Sequence, residues 1–228
     1  MSIVEGILYY PLQMANPHPT PPPDSAETRA ARAPQQERGQ RRVEQILDAA
    51  ESVFAELGVE GASMQAIADR AESSVGSLYH FFPNKDAVVE ALGARYAERV
   101  SRTNEEAMPL ELAHIAPDEL FERVLTAQMR FIESTPAFPA VQEAVMRNCP
   151  AVKDAMNSAL VGHVGKFLAL RYPKLPAAER AVSAMVAVST VHALMHLAVH
   201  VPEGTRPAVI AEAKRMLVAH YTVYDASR

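Results

Sequence analysis

Residues 72–92, ESSVGSLYHFFPNKDAVVEAL, hold two closely spaced helix starts with a proline between them. Ser73 or Ser74 can act as the N-cap of a short helix that Pro83 ends, and a longer helix can begin after the proline. The short helix contains Gly76, which costs a helix interior about 0.5–1 kcal/mol relative to alanine. A short helix that holds glycine is a poor structural support. The pattern therefore favours a helix whose purpose is to contact another molecule.

Two further helices are predicted upstream of this stretch. An apolar stripe at three- and four-residue spacing runs through GQRRVEQILDAAESVFAELGVEG, and Gly58 is a candidate C-cap at its end. The stripe consists of Val43, Ile46, Leu47, Ala50, Val53, Phe54 and Leu57. Ser63 can cap a second helix over MQAIADRA, with Ile67 facing inward. A short helix joined to the next by about three residues is typical of a helix-turn-helix, although periodicity alone also allows an ordinary helical hairpin.

The rest of the chain also indicates helices and almost no strand. Apolar residues make up 49% of the sequence, aromatic residues only 6%, and there is no tryptophan, a composition that favours aliphatic helix packing. A long fourth helix is predicted from Lys85 to about Ala107. Prolines punctuate the later helices, which are expected near 117–135, 137–147, 150–171, 176–200 and 206–224. The predicted fold class is all-α, with a three-helix N-terminal head and a helical C-terminal body.

Composition also limits the class of protein. The net charge of −5 argues against a non-specific polyanion binder, although residues 29–42 carry five arginines against the single Glu37. The single cysteine excludes an internal disulfide framework and suits a reducing cytoplasm. We find no signal peptide and no run of about 18 apolar residues, so we predict a cytoplasmic protein that does not span a membrane. Residues 1–36 hold seven of the 17 prolines and are predicted to form a disordered arm.

Residues 39–100 resemble the DNA-binding domain of the tetracycline-repressor (TetR) family of bacterial transcriptional regulators. The resemblance is carried by ILDAAESVFAELGVEGASMQAIADRA and by VGSLYHFFPNKDAVVEAL. Three positions depart from the usual family pattern. Glu72 stands where the turn glycine is usual, Ser73 where a core valine is usual, and Phe81 where histidine or tyrosine is usual. The resemblance implies a helix-turn-helix DNA-binding domain over residues 37–84 and a helical ligand-binding and dimerisation domain over residues 85–228.

Roles in DNA binding follow from this resemblance. Ser63 and Gln65 would contact the DNA backbone or an adjacent base. Tyr79 and Lys85 would bind phosphates, and Arg41 and Arg42 would reach flanking phosphates or the minor groove. The residues expected to face base edges in the major groove are Ser74, Val75, Gly76, Ser77 and His80. The partner would be a double-stranded, pseudo-palindromic operator bound by a homodimer.

The resemblance also assigns an effector site and a dimer interface to the helical body. A small, largely apolar effector would release the repressor from DNA. Candidate effector-binding residues are Tyr96, Val100, Phe131, Met146, Met156, Phe167, Met185 and His192. The last two helices are apolar around most of their circumference, which suits an obligate interface between subunits. Candidate interface residues are Val188, Val191, Met195, Val199, Ile210, Leu217 and Tyr221.

Other functions remain open at this point. His192, His196 and His200 recur every four residues, so they share one helical face and could sense a metal ion or pH. Cys149 precedes Pro150 at a helix start and could act as a redox switch. A DNA-binding or interaction module without an effector is a further alternative. The sequence has no nucleophile elbow and no glycine-rich phosphate loop, so we predict neither an enzyme nor a bound cofactor.

Overall fold

The structure is a computed structural model that describes the backbone of residues 26–226 and the side chains of residues 37–226. Within these ranges the regular structure consists of α-helices and two short 3-10 turns, Leu110–Leu112 and Glu203–Thr205, and no strand. The all-α prediction is therefore confirmed. The helices are α1 (Ala26–Gly61), α2 (Met64–Arg70), α3 (Val75–Phe81), α4 (Lys85–Ala107), α5 (Pro117–Glu133), α6 (Phe138–Asn148), α7 (Pro150–Arg171), α8 (Ala177–His200) and α9 (Arg206–Ala226).

The N-terminal part of α1 differs from the prediction. The disordered arm was expected to reach residue 36, but helix begins at Ala26, and residues 1–25 lie outside the described part of the chain. Alanine, arginine and glutamine predominate over residues 26–36, and these residue types favour helix more than Pro34 opposes it. Gly58 interrupts the helical path (φ 68°, ψ 168°) at the predicted C-cap position.

The chain forms two compact units. The first contains the residues up to Arg95 together with Ala140–Asn148, and the second contains Tyr96–Pro139 and Cys149–Arg228. The sequence placed a domain boundary between residues 84 and 85, whereas the units divide inside α4. The first turns of α4 belong to the head because Val88 and Leu92 are completely buried there.

The core of the first unit is the apolar stripe predicted for α1. Ile46, Leu47 and Ala50 are fully buried, together with Ile67 of α2 and Leu78 of α3. Leu57 is an exception because more than half of its side chain is exposed. The break at Gly58 follows directly, so Leu57 lies at the end of the helical path and beyond the core.

Arg95 of α4 forms ion pairs with three carboxylates of α1 within the first unit. The Arg95 guanidinium lies 3.3 Å from a carboxylate oxygen of Glu44, 2.6 Å from one of Asp48 and 2.5 Å from one of Glu51. The arginine side chain is largely buried, whereas Asp48 and Glu44 are exposed. These contacts link residues about fifty positions apart, and they hold α4 against α1.

In the second unit α5 and α8 both pack against α9, and α7 packs against α8. One of its apolar clusters is formed by Phe121, Leu125, Met129, Met195, Ala198 and Leu217. Near the chain end, Arg171 of α7 donates hydrogen bonds to Asp225 of α9 and to the carbonyls of Ala113 and Ile115, each 2.8 Å away. This set of bonds, which we call the Arg171 latch, joins α7, α9 and the segment before α5.

Candidate nucleic-acid interface and internal cavity

The turn between α2 and α3 contains a left-handed residue. The amide of Ser73 donates to the carbonyl of Ala68 (2.9 Å), and the amide of Ala71 donates to that of Ile67 (2.9 Å). The residue enclosed by these bonds is Glu72, with φ of 48°. A glycine is favoured at this helix-ending position because it adopts positive φ without a Cβ clash. The turn therefore has the left-handed conformation that glycine would favour, and the Cβ atom of Glu72 makes this conformation sterically unfavourable.

Helix α3 exposes polar and small residues to solvent and packs against the core through one buried apolar residue. Ser74 caps the helix, since its Oγ accepts a hydrogen bond from the amide of Ser77 at 3.1 Å. Leu78 is completely buried and fixes the helix to the core. The exposed residues of this surface are Ser74, Gly76, Tyr79 and His80. A helix held by one buried leucine and otherwise open is free to contact a partner along its length.

Gly76 is the most informative residue of this surface. A Cβ atom built at position 76 has no heavy-atom neighbour within 4 Å, apart from the helix's own backbone and the adjacent residues. The backbone conformation is helical, so neither packing nor φ requires glycine. Glycine in a helix nevertheless costs about 0.5–1 kcal/mol relative to alanine. Gly162 of α7 is equally open, so openness alone identifies no partner; Gly76 differs in lying on the exposed, serine-capped helix of the helix-turn-helix.

Helix α2 lies before this turn and begins with a second serine cap. Ser63 Oγ accepts from the amide of Ala66 at 3.1 Å, and Gln65 Nε2 donates to Asp69 Oδ1 at 2.7 Å. Both Ser63 and Gln65 are exposed. Their remaining hydrogen-bonding capacity points to the solvent side of the head.

The basic side chains near this surface differ in the hydrogen bonds and ion pairs that they already form within the chain. Lys85 Nζ donates to the carbonyls of Val59 (2.6 Å), Glu60 (3.3 Å) and Ala62 (3.0 Å). An ammonium group has three donors, so this lysine is used in holding the chain that follows α1. Arg41 forms an exposed pair with Glu37, which is a weak and breakable contact.

Arg42 has a partly structural position. Its guanidinium donates to Gln45 Oε1 at 2.9 Å and to the carbonyl of Ala71 at 3.4 Å. The side chain is half-buried and therefore ties α1 to the end of α2. Of the two adjacent arginines, Arg41 is the one that can move toward a phosphate at low cost.

The second unit contains an internal cavity of about 60 Å³ whose lining residues come from α4, α5, α7, α8 and α9. Most of the lining is aliphatic or aromatic, including Phe167. Two buried amides interrupt the apolar wall: Gln128 Nε2 donates to Asn104 Oδ1 at 2.9 Å, and Asn104 Nδ2 donates to the carbonyl of Val100 at 2.7 Å. His192 also lines the cavity, and burial lowers the pKa of its imidazole below the ordinary value. Burial therefore favours the neutral form of this imidazole.

Helices α8 and α9 expose a broad apolar surface. The large exposed residues are Val182, Met185, Val186 and Leu197 on α8 and Met216 and Val223 on α9, a set that we call the outward face. Over an 18-residue window α8 has a mean hydropathy of 1.7 and is only 22% buried, so by length and composition alone it could cross a membrane. The prediction that the chain does not span a membrane is not contradicted by this helix, because length and composition alone are weak evidence for a span. An apolar surface of this size marks an interaction site.

Two family models match the chain. The model described as "Bacterial regulatory proteins, tetR family" matches residues 46–92, and the one described as "Tetracyclin repressor-like, C-terminal domain" matches residues 117–220.

The chain belongs to the TetR family.

The first match covers the helix-turn-helix, and the second covers the unit that holds the cavity and the outward face. The predicted family is thus confirmed over both parts.

Curated relatives and solved structures agree with this assignment. The chain is 37% identical over 84 residues to the transcriptional repressor KstR of Mycobacterium tuberculosis, covering 36% of each chain. It is 32% identical over 128 residues to KstR of Mycolicibacterium smegmatis, covering 56% of this chain and 59% of the relative. A TetR-family regulator from Streptomyces coelicolor matches with a TM-score of 0.60 and 25% identity, over 79% of this chain and 98% of that one. The chain therefore spans about a third to three fifths of the length of these curated relatives, which are regulators and not enzymes.

For this TetR-family chain, most predicted DNA contacts lie on the exposed side of the head. Val75 and Ser77 are half-buried, and the exposed residues among the predicted contacts are Arg41, Ser63, Gln65, Ser74, Gly76, Tyr79 and His80. Lys85 is an exception, because three carbonyls occupy its ammonium group. A lysine at a helix start was expected to bind a phosphate, but the unpaired carbonyls beside it are nearer acceptors.

The predicted effector residues do not form one site. Phe167 and His192 line the cavity, whereas Tyr96, Val100, Phe131, Met146, Met156 and Met185 are not part of its lining. Met185 is 55% exposed on the outward face. Met146 belongs to the first unit. Most of the predicted effector residues are soft and apolar, whereas the cavity is also lined by Asn104, Gln128 and Tyr221, which were not predicted as effector residues. The signal that could have found them is a polar group on an otherwise apolar helix face.

The predicted dimer residues mostly face the core of their own chain. Val188, Met195 and Leu217 are buried inside the second unit of their own chain, and Tyr221 lines the cavity. Val191 and Ile210 pack partly against the same core, and Val199 is half-buried. Because α8 and α9 are apolar all round, periodicity could not distinguish the inward face from the outward one.

The metal and redox alternatives are not favoured. His192 lines the cavity, while the rings of His196 and His200 stack on each other in solvent with their centroids 4.1 Å apart. The Nδ1 atom of His200 already contacts the carbonyl of His196 at 2.8 Å. The three histidines are thus divided between two environments. Cys149 is buried, which keeps a thiol inert.

Proposed function

We propose that this chain is a homodimeric, sequence-specific DNA-binding repressor that acts in the cytoplasm and leaves a pseudo-palindromic operator when a small, largely apolar effector binds. The observation that carries the proposal is Gly76: it lies on an exposed, serine-capped helix and has no intramolecular reason to be glycine. In a major groove the backbone of α3 could approach the bases closely at this point. The curated relatives that share this head are named as repressors or regulators.

Base recognition would fall to the exposed part of α3. Ser74 and His80 offer hydrogen-bonding groups to base edges, and Val75 can contact a thymine methyl group. Tyr79 and the two serine-capped helix starts would hold phosphates, with Arg41 reaching a flanking phosphate. Lys85 would act indirectly by holding the chain between α1 and α2 in place.

Dimerisation would use the outward face of α8 and α9. Two copies related by a two-fold axis would cover the same apolar residues on each other, which explains why α8 is so apolar and yet so little buried. A symmetric dimer presents two copies of α3, and successive major grooves lie about 34–36 Å apart. The operator should therefore contain two inverted half-sites.

The head is not globally basic, so few phosphates would be neutralised. Residues 29–102 hold ten Lys or Arg and eleven Asp or Glu. We expect about four to seven phosphate contacts per dimer, hence a slope of about −4 to −6 for log K against log salt concentration. Fluorescence anisotropy of labelled operator between 50 and 200 mM salt measures this slope. A value steeper than about −10 contradicts the proposed mode of binding.

The effector would act through linkage. A molecule bound in the cavity favours a conformer whose two heads no longer match the groove spacing, and DNA binding disfavours the effector by the same factor. A coupling of about 1–3 kcal/mol is typical of such systems.

Footprinting on the DNA upstream of the chain's own coding sequence tests the proposal most directly. The expected result is a symmetric protected region that disappears with His80→Ala, while His220→Ala, a change at an exposed histidine on α9, leaves it unchanged. Sedimentation of the same sample should give a dimer. A strictly monomeric protein, or one that protects no fragment from its own locus, would refute the proposed function.

A further inference from the structure

We infer that the cavity takes an uncharged, mainly apolar molecule that carries one hydrogen-bonding oxygen, and that Gln128 and His192 recognise this oxygen. The inference deepens the proposed function, because it assumes that the cavity is the effector site. It depends on the polar atoms of the cavity, their partners and their charge.

Gln128 has unused hydrogen-bonding capacity in an apolar wall. Its side chain is only 9% exposed, and its one hydrogen bond goes from Nε2 to Asn104. Among the described residues nothing pairs with Oε1 or with the second amide hydrogen. A ligand oxygen that accepts from Nε2, or a hydroxyl that donates to Oε1, would add a hydrogen bond in a largely apolar surrounding.

His192 supplies a second polar group from a different helix. It lines the same cavity as Gln128, and no hydrogen bond joins its ring nitrogens to another described residue. A neutral imidazole has one donor and one acceptor, and the tautomer can adjust to either a carbonyl or a hydroxyl group. The two residues come from α5 and α8, so a ligand that forms hydrogen bonds to both would be fixed in position.

The charges of the cavity argue against an ionised ligand. Among the described lining residues, Arg171 is the one charged side chain. Asp225 neutralises its charge, and Asp225 and two backbone carbonyls accept hydrogen bonds from its guanidinium. Hydrogen bonding to Asp225 raises the pKa of this arginine further. A carboxylate or an ammonium group entering the cavity would lose its hydration without gaining a free counter-charge. Recognition should therefore select against ions.

The lining also limits the size of the ligand. Residues Leu120 to Gln128 of α5 contribute to the wall, which corresponds to about 12 Å along the helix axis. The present volume of about 60 Å³ is smaller than a typical ligand site, so side chains must move when a molecule enters. Met108 can provide this movement because an unbranched thioether repacks easily.

Three naphthalene probes of nearly equal shape test the inference: 2-acetylnaphthalene, 2-ethylnaphthalene and 2-naphthoate. They carry a ketone, no polar group and a carboxylate, respectively. The protein has no tryptophan, so probe fluorescence in equilibrium dialysis is free of interference from indole. The ketone should bind about threefold to tenfold more tightly than the hydrocarbon, because one added hydrogen bond has this net effect. The carboxylate should bind at least tenfold more weakly than the ketone.

Matched variants assign the recognition to particular residues. Gln128→Met and His192→Phe should each reduce the preference for the ketone while leaving hydrocarbon binding within about twofold. Gln142→Met is the control, since it makes the same change in the first unit and should keep the preference. Two positions are tested so that a folding defect in one variant leaves the other informative.

Each other outcome overturns the inference. Naphthoate binding as tightly as the ketone would show an unrecognised counter-charge. An unchanged preference in both variants would remove Gln128 and His192 as the recognising residues. No binding of any probe up to its solubility limit would show that the cavity does not admit such molecules. Operator binding by the same preparations is measured separately, so a failure here leaves the DNA-binding proposal standing or falling on its own result.

Discussion

At position 76 we expect stability and DNA binding to favour different residues. A methyl group there would meet nothing in the isolated protein and would remove the entropic cost of glycine from α3. We expect Gly76→Ala to raise the free energy of unfolding by about 0.5–1 kcal/mol and to weaken operator binding by tenfold or more through a clash with DNA.

The control for Gly76→Ala is Gly162→Ala on α7, another open helical position. It should be stabilising to a similar degree without any change in operator affinity. Urea denaturation and gel retardation measure the two effects. Unchanged affinity in Gly76→Ala would show that α3 does not approach DNA at this point.

Glu72 makes a second prediction possible at the residue scale. Glu72→Gly should stabilise the protein by about 1 kcal/mol, because glycine adopts the left-handed turn without strain. Glu72→Gln keeps the strain and removes only the charge, so it should leave stability nearly unchanged. Both variants should bind operator more tightly at low salt, since each removes a negative charge near the phosphates. Equal stability of the two variants in urea denaturation would contradict the steric argument.

At the scale of elements, Lys85 joins the start of α4 to the chain after α1. Lys85→Met keeps the aliphatic stem but leaves the carbonyls of Val59 and Ala62 without their donor. We expect a loss of about 1–3 kcal/mol in the free energy of unfolding, whereas Lys166→Met, at an exposed position on α7, should change it little. A variant of unchanged stability that binds operator weakly would instead assign Lys85 to a phosphate.

We expect the outward face to determine assembly, as proposed above. Val186→Glu would place two carboxylates in the proposed apolar interface, so the dimer should dissociate at micromolar concentration and operator affinity should fall by at least tenfold. Leu170→Glu changes an exposed leucine on α7, outside this face, and should remain dimeric. Sedimentation velocity distinguishes the two. A dimeric Val186→Glu protein would place the interface elsewhere.

At the scale of the whole molecule, the Arg171 latch joins segments more than fifty residues apart and should make stability depend on pH. Burial alone would raise the pKa of Asp225, but hydrogen bonds from Arg171 and Tyr172 outweigh it, so the pKa lies below its ordinary value of 3.8. A lowered carboxyl pKa stabilises the folded state above the unfolded pKa and loses that contribution as pH falls through the folded pKa.

Asp225→Asn should therefore cost about 1 kcal/mol at pH 7, a small value because the pair is partly exposed. The difference from the unaltered protein should shrink toward zero as the pH falls below about 4. Thermal denaturation between pH 3 and pH 7 measures it, with Asp154→Asn on α7 as the control. A difference that does not vary with pH would show that the carboxylate charge of Asp225 is not involved.

Features that depend on neighbours in the sequence were predictable. The helix was predicted to begin at Lys85, and the preceding Asn84 caps it, since its Oδ1 accepts a hydrogen bond from the amide of Ala87 at 2.8 Å. The serine caps, the break at Gly58 and the proline-bounded helices were anticipated for the same reason. Caps and breakers act within one helical turn, so a single sequence contains the whole interaction.

The helices, their order and the exposed helix α3 could be predicted from the amino-acid sequence, because they depend on caps, breakers and a clear apolar stripe. The packed fold was needed to show which side of α8 and α9 is outward, where Lys85 donates, and that Asn104, Gln128 and His192 line one cavity. Helices that are apolar all round carry no periodic signal for their orientation. Hydrogen bonds between residues twenty or more positions apart exist only after the chain has packed.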